Sequence, residues 1–461
     1  MEYKYKLVVF DIECDGIDAT KIHCLSYSYL DDEGEYVRGT LTEVDTIPDF
    51  LSQFKYVVGH NIVRYDLPVI ERLVGGSINY KRCIDTLGLS WWLFPDRSKH
   101  GLAHWGSDLG IAKPVVDDWE DQPLEVYINR CEEDVKINEK LFFKVIIPKL
   151  NGIYGGDVET IRRATEYASF KMWCLKLQED RPLRLDIERT EKILARFESI
   201  IEEKRGKLIQ VMPKVPKMGV KVCPANTHTK SGNHTKLYDK WLNFLAENNI
   251  PQDHEEPVNY VKSYEEPNPN STKQIKDWLT SLGWKPATFK YDKYPDGSLR
   301  KIPQINDNGT LCSSITVLSE KFEVIKELEG YSMIKSRSAV LKGFLRDVDR
   351  GGYIKASAHG FTNTMRLKHS ILVNLPGVSG VNDAADGLWI RGCLVAEEGQ
   401  ELCGADISGL ESATGDHYIS EFDLPYVQEK RTEGYDPHLD IALVAGLLTE
   451  DEVEFYKWYK K

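Results

Sequence analysis

Along the first 165 residues, short apolar runs alternate with stretches of helical periodicity, a pattern that predicts an α/β domain. Leu7–Phe10 reads as a buried strand, Ile22–Tyr29 and Tyr56–Gly59 as further strands, and Leu67–Leu73, Leu87–Leu93 and Glu132–Val145 as helices. From Asp186 to Val211, apolar residues including Ile187, Ile193, Leu194, Phe197, Ile200, Ile201 and Leu208 recur at helical spacing, so one long helix is expected. Pro213 and Pro216 end it, because neither can continue a helix. The stretch from about 212 to 310 is rich in Pro, Asn, Lys and Gly and reads as a connector with short helices such as Lys273–Leu282. A helix from Ser319 toward Arg346 follows, then strands at Gly351–Ser357 and Glu401–Asp406 and a helix starting near Gly409. No internal repeat or low-complexity tract interrupts this order.

With 461 residues, the chain is long enough for two to four domains at roughly 100 to 200 residues each. An apolar share of 41% is enough for buried cores, and no apolar run approaches the ~20 residues that span a bilayer. A soluble protein with no membrane partner is expected. Nine scattered cysteines, without a CxxC pair, speak against both a disulfide framework and a zinc site. The net charge of −13 weighs against a nucleic-acid partner. Two observations lighten that weight: metal-holding carboxylates supply part of the charge, and Lys204–Lys240 is locally basic. That stretch reads equally as a solvated loop.

The candidate chemistry is carried by acids. Asp11 and Glu13 stand two apart at the end of the first strand, so both point the same way and can hold hard divalent cations through oxygen. Asp66 and Asp134 follow in the chain. Phosphodiester hydrolysis needs an activated water and a stabilised leaving oxygen, and two metals about 4 Å apart provide both. Asp11 is the natural bridging ligand, Glu13 and Asp134 share one ion, Asp66 completes the site, and Asn61 lies on the segment expected to face the substrate.

Phe10-Asp11-Ile12-Glu13, His60-Asn61 with Asp66, Ile84–Leu87, His100–Gly106 and Cys131–Val135 together resemble the proofreading domain of phage-type A-family, DNA polymerase I-like, DNA polymerases. The resemblance implies a ribonuclease-H-like DEDD 3′-to-5′ exonuclease domain that uses magnesium, with manganese able to substitute. One departure stands out: Arg130 occupies the place where the family usually has a tyrosine that orients the attacking water. Tyr127, His100 and His104 are candidate substitutes.

The resemblance continues downstream. Pro267–Ile275 is similar to the segment that ends the family's thumb. Thr364–His369 with Val373–Pro376 is similar to its template-primer contact motifs, although Met365 replaces a glycine; it implies DNA contacts by Arg366, Lys368, His369 and Asn374, with Arg391 further on. Ala405–Glu411 looks like polymerase motif A. By resemblance Asp406 holds both catalytic metals, assisted by the Ile407 carbonyl, while Glu411 closes the nucleotide pocket against a 2′-hydroxyl and His438 of Asp436-Pro437-His438 meets the triphosphate. The alternative readings are a helix-capping carboxylate for Asp406 and a surface or packing histidine for His438.

The architecture implied is an exonuclease domain over 1–165, a mainly helical thumb and connector over 166–345, and an incomplete α+β palm with the start of the fingers over 346–461. The family's second palm carboxylate, in a His-Asp-Glu strand, and its nucleotide-holding fingers helix do not follow Glu411. The leading expectation is therefore an N-terminal subunit of a split polymerase, acting in DNA replication in the cytoplasm of a phage-infected bacterial host. Its expected partners are primer-template DNA, deoxynucleotide triphosphates, a second polypeptide carrying the rest of palm and fingers, and a processivity factor. A free-standing exonuclease, a non-catalytic DNA-binding scaffold and a shortened form of an intact polymerase are the alternatives.

Overall fold

Strand β1 (Tyr5–Cys14) is covered on both faces, which explains its nearly unbroken apolar run. Val8, Phe10, Ile12 and Cys14 point into one core, while Val9 points into a second core shared with Val135, Ile137 and Leu141. In the computed structural model, residues 5–114, 122–294, 296–307, 310–362, 364–376, 390–407, 409–432 and 434–459 are described. They belong to two compact units, one ending at Val395 and the other covering Ala396–Lys461.

The first unit is mixed α/β. β1 pairs antiparallel with β2 (Ile22–Leu30), which pairs antiparallel with β3 (Tyr36–Leu41). On its other side β1 pairs in parallel with β4 (Phe54–Gly59), and β4 with β5 (Cys83–Asp85). The order β3-β2-β1-β4-β5 makes β1 the centre of the sheet, flanked by an antiparallel neighbour on one side and a parallel one on the other. Open α/β sheets offer their crevice at the carboxyl ends of such strands. Asp11 and Glu13 lie at that end of β1.

Helix α1 (Ile47–Ser52) precedes β4, and α2 (Asp66–Val74), α3 (Thr86–Leu93) and α4 (Leu102–Leu109) follow. The expected helix at Glu132 begins earlier, as α5 (Leu124–Lys140), and runs through a wider π turn at Leu141–Ile146 into α6 (Ile147–Tyr154). Tyr127, Cys131, Asp134, Val135 and Asn138 line its buried face at helical spacing. Helix α7 (Val158–Glu179) closes this part, with Ala168, Met172 and Leu175 in its cores.

β6 (Leu183–Leu185) and the predicted long helix α8 (Ile187–Val211) come next. The stretch expected to be mostly connector is more ordered than its composition suggests. β7 (Val215–Lys221) pairs with β8 (Val258–Glu265) around α9 (Lys236–Glu247), and after α10 (Thr272–Ser281) β9 (Phe289–Lys293) pairs with β10 (Leu299–Pro303). These two-stranded ribbons are largely exposed on both faces, so no buried side imprints the alternation by which strands are read.

The expected single helix from Ser319 is broken. Helix α11 (Ser313–Lys321), a 3-10 turn at Glu323–Leu328 and α12 (Tyr331–Asp347) replace it, and Gly330 at φ +70° separates the last two. The strand expected at Gly351–Ser357 contracts to Tyr353–Ile354, because Gly352 turns the chain at φ +86° and Asp349 binds the N–H groups of Gly351 and Tyr353. That short strand and Leu394–Val395 flank β6 in a small sheet over a core of Ile193, Phe197, Leu341, Phe344 and Ile390.

In the second unit, helices Leu410–Ile419, Leu424–Lys430, Pro437–Val444 and Glu450–Tyr459 follow one another. The strand expected at Glu401–Asp406 is not formed. Those residues are exposed and, among the described residues, have no ladder partner, and a lone extended segment leaves its backbone to water. No described helix is long and apolar enough to cross a membrane.

Candidate functional site

The odd-numbered face of β1 that buries Val9 against α5 carries Asp11 and Glu13 one pleat further on. Cys131 of α5 fixes the approach, its thiol lying 3.1 Å from the Asp11 carbonyl oxygen. Asp134, one turn later on the same helix face, thereby meets both strand carboxylates. Oxygens of Asp11, Glu13 and Asp134 lie within 4.8 Å of one another. Asp66, at the start of α2, is buried beside them and accepts the Ile12 N–H at 3.3 Å.

The loop between β4 and α2 that delivers Asp66 is held by a fifth acid. Asp85, fully buried, accepts N–H groups from Asn61 and Val63 as well as from Leu87 and Gly88 at the start of α3. Asn61 adopts φ +68°, a left-handed conformation that asparagine tolerates, and its buried Oδ1 has no hydrogen-bond partner. Gly59 permits the turn, since a Cβ there would lie 1.9 Å from Ile62 Cγ2. A Gly59→Ala substitution is therefore expected to cost about 1–3 kcal/mol of stability by overpacking and to displace Asn61 and Asp66. Chemical denaturation would measure the first effect and metal titration the second.

Gathering these acids away from water raises their proton affinity. Burial, then the charges of Asp134, Asp66 and Glu13, push Asp11 well above the carboxylate range. Burial and Asp134 push Glu13 up to about 7. Burial raises Asp66 to about 7, against the Ile12 N–H that favours its charged form. Asp134 is raised by burial while Lys113 and Arg130 oppose the shift.

The sign for stability follows. Between about 4.5 and 7 the folded, metal-free protein holds protons that the unfolded chain releases, so this contribution is fully present below about 4.5 and is lost as pH rises through 7. Divalent cations bind the deprotonated acids and reverse the trend. The rise in melting temperature on adding magnesium should be small near pH 5 and grow through pH 7; a metal effect independent of pH would contradict the assignment.

Two cations lie among the acids. Lys113 Nζ is 2.5 Å from Asp134 Oδ2. Arg130 Nε is 3.4 Å from Glu13 Oε1 and 3.6 Å from Asp134 Oδ2, while its Nη1 donates to the Pro114 carbonyl. His60 stands nearby with Nδ1 3.0 Å from Thr86 Oγ1 and a buried, unpartnered Nε2; burial, aided by Lys113, pushes it down to about 3 and keeps it neutral. The expected substitutes for the water-orienting tyrosine are otherwise engaged. Tyr127 stacks on His23 at 3.8 Å and accepts the Gln122 N–H, His100 contacts Ser90 Oγ at 2.8 Å, and His104 is exposed. Lys113 was not singled out by the sequence, where a lone lysine before Pro114 belongs to no motif.

The donor set suits divalent metal: buried carboxylate oxygens only, mutually repelling, with Asp134 Oδ1 lacking any hydrogen-bond partner.

The other predicted site residues lie elsewhere. Arg366, Lys368 and His369 sit on a hairpin formed by Ala358–Phe361 and Leu367–His369. It packs on the part that carries the acids: Phe361 meets the Trp91 ring edge-on at 5.5 Å, and Lys368 Nζ reaches the Pro95 carbonyl at 3.4 Å. Met365 has φ +59°, a conformation that glycine favours, which accounts for the glycine expected there. Arg391 donates to the Pro376 and Leu375 carbonyls, tying it to the segment of Asn374.

In the second unit Asp406, Ile407, Glu411 and His438 are all exposed. Asp406 Oδ1 accepts the Ile407 N–H, and among the described residues Asp406 joins no group of three metal-ligating side chains. Part of the basic stretch 204–240 is ion-paired: Lys204 and Lys207 pair with Glu327, Lys214 with Glu266 and Lys217 with Glu265.

No family model matches the chain, and no curated protein matches it. Among solved structures it is similar to the POL domain of Pol1 from M. smegmatis, determined in complex with DNA primer-template and dNTP, at 14% sequence identity and a TM-score of 0.55. The match covers 96% of this chain and 64% of that one, so the chain spans less than two thirds of its neighbour. A DNA-polymerase-like fold is thereby shown.

Proposed function

We propose that the chain is a 3′-to-5′ DNA exonuclease built into the N-terminal part of an A-family DNA polymerase. The observation that carries this reading is the convergence of Asp11, Glu13 and Asp134, with Asp66 beside them, at the carboxyl end of a central strand. The mixed sheet around β1 agrees with the ribonuclease-H-like fold that the resemblance implies, and the polymerase-like fold supports DNA as the substrate.

Asp11, Glu13, Asp66 and Asp134 would hold magnesium, which when bound supplies Lewis-acid stabilisation of the phosphodiester and an acidified water. The chain's own part is to present the carboxylates deprotonated and fixed. Asp66 is oriented by the Ile12 N–H, Asp85 fixes the loop that leads from His60 into Asp66, and burial keeps His60 neutral. Arg130 and Lys113 supply positive charge where the scissile phosphate would approach.

We further propose that polymerisation requires a complementing polypeptide with a second palm carboxylate and a fingers helix. In support, the second unit leaves the large apolar side chains of Ile407, Phe422, Val444, Leu447 and Trp458 exposed, which a partner could cover.

The test uses the purified chain, millimolar magnesium and single-stranded DNA labelled at its 5′ end. A ladder of progressively shortened labelled products is expected. An unchanged substrate, or release of the label from the 5′ end, would reject the exonuclease reading.

A further inference from the structure

The cations of the acidic cluster are distributed unevenly. On the Glu13–Asp134 side lie Lys113 and Arg130, while among the described residues neither Asp11 nor Asp66 takes part in an ion pair. The two cations are also not equivalent. Arg130 springs from α5 itself, one turn before Asp134, and is tethered by its donation to the Pro114 carbonyl. Lys113 reaches in on a flexible four-carbon stem from the segment after α4, which is pinned by the Ile111 N–H to the Gly106 carbonyl at 2.8 Å and by Arg130 at Pro114. Its ammonium is 2.5 Å from one Asp134 oxygen, and its side chain retains 18% exposure, so it has a route to water.

From this asymmetry we propose that Lys113 is a built-in counter-ion of the Glu13–Asp134 position, which a divalent ion can fill only by displacing the ammonium from Asp134. The inference rests on the metal-binding reading of the acidic cluster and deepens it. An ammonium at hydrogen-bond distance holds the carboxylate oxygen that a cation at this position needs, and a divalent ion beside it is repelled. A divalent ion therefore reaches Glu13 and Asp134 only as the ammonium leaves. Without metal, the lysine compensates part of the buried negative charge. With metal, it is released toward the approach side of the site, where an anionic DNA 3′ end can meet it.

Calorimetric manganese titration of the wild type, Lys113→Gln and Lys113→Arg, without DNA at one fixed pH of about 8, tests the proposal. Lys113→Gln should tighten manganese binding about tenfold, while Lys113→Arg keeps the wild-type affinity. Manganese binding unchanged or weakened in Lys113→Gln overturns the role of Lys113 while leaving the metal site standing. No manganese binding by any of the three overturns the metal reading itself. A second measurement needs no variant: manganese should increase acylation of the Lys113 amine by a water-soluble ester, quantified by peptide mass spectrometry, and labelling indifferent to metal also overturns the displacement.

Discussion

Replacing Asp11 and Glu13 together with alanine is expected to slow 3′-end degradation of single-stranded DNA at least about a thousandfold, equivalent to roughly 4 kcal/mol of lost transition-state stabilisation. Both side chains face Asp134 across less than 5 Å and neither caps a helix or fills an apolar core, so the loss falls on chemistry and not on folding. The metal-free double variant should melt no lower than the wild type, because two carboxyl groups whose ionisation is opposed by burial and by one another are gone. Asp66→Asn is the finer probe. An asparagine oxygen can still accept the Ile12 N–H, so whatever activity is lost reports the charge alone. Rates equal to wild type in the double variant, measured with magnesium in excess, would remove the acidic cluster from the mechanism.

The acids were legible because their spacing carries geometry. Two residues apart on a strand means one face, and an acid on the buried face of a late helix can only meet that strand. What surrounds them was less legible. Lys113 lies in an irregular segment, where no period relates a residue to its spatial neighbours, and its meeting with Asp134 depends on the tertiary path between α4 and α5. Tyr127 has the sequence position to assist the acids, yet stacking on His23 draws its ring elsewhere, a contact between elements that no local pattern encodes.

The errors downstream have one physical source. Strand propensity was read at Glu401–Asp406, but a strand exists only when its backbone groups find a ladder, and none is available among the described residues. In the connector the reverse holds: β7 and β8 find one another along their length while both faces stay wet, so pairing forms without the burial pattern that announces it. The basic character of 204–240 was likewise correct in one dimension only. Glu327, Glu265 and Glu266 come from distant positions to meet Lys204, Lys207, Lys214 and Lys217, so part of the charge counted along the chain is paired in space.

Asp406→Ala is expected to abolish primer extension by a reconstituted polymerase, a loss of about a thousandfold or more, while leaving exonuclease activity intact. Asp406 belongs to the separate unit Ala396–Lys461, is exposed, and has no other metal-ligating acid grouped with it among the described residues. One carboxylate does not hold two metals, so this chain by itself should extend no primer. Mixing with a polypeptide that supplies the second palm carboxylate and the fingers should bring extension, together with protection of the exposed apolar residues Ile407, Val444 and Trp458 from solvent. Glu411→Ala, in the first turn of the helix after Asp406, should relax discrimination against ribonucleotides and also spare the exonuclease. Primer extension by the purified chain alone would rule out the divided active site. Failure of every palm and fingers polypeptide to bind would instead favour an exonuclease that works without polymerase activity.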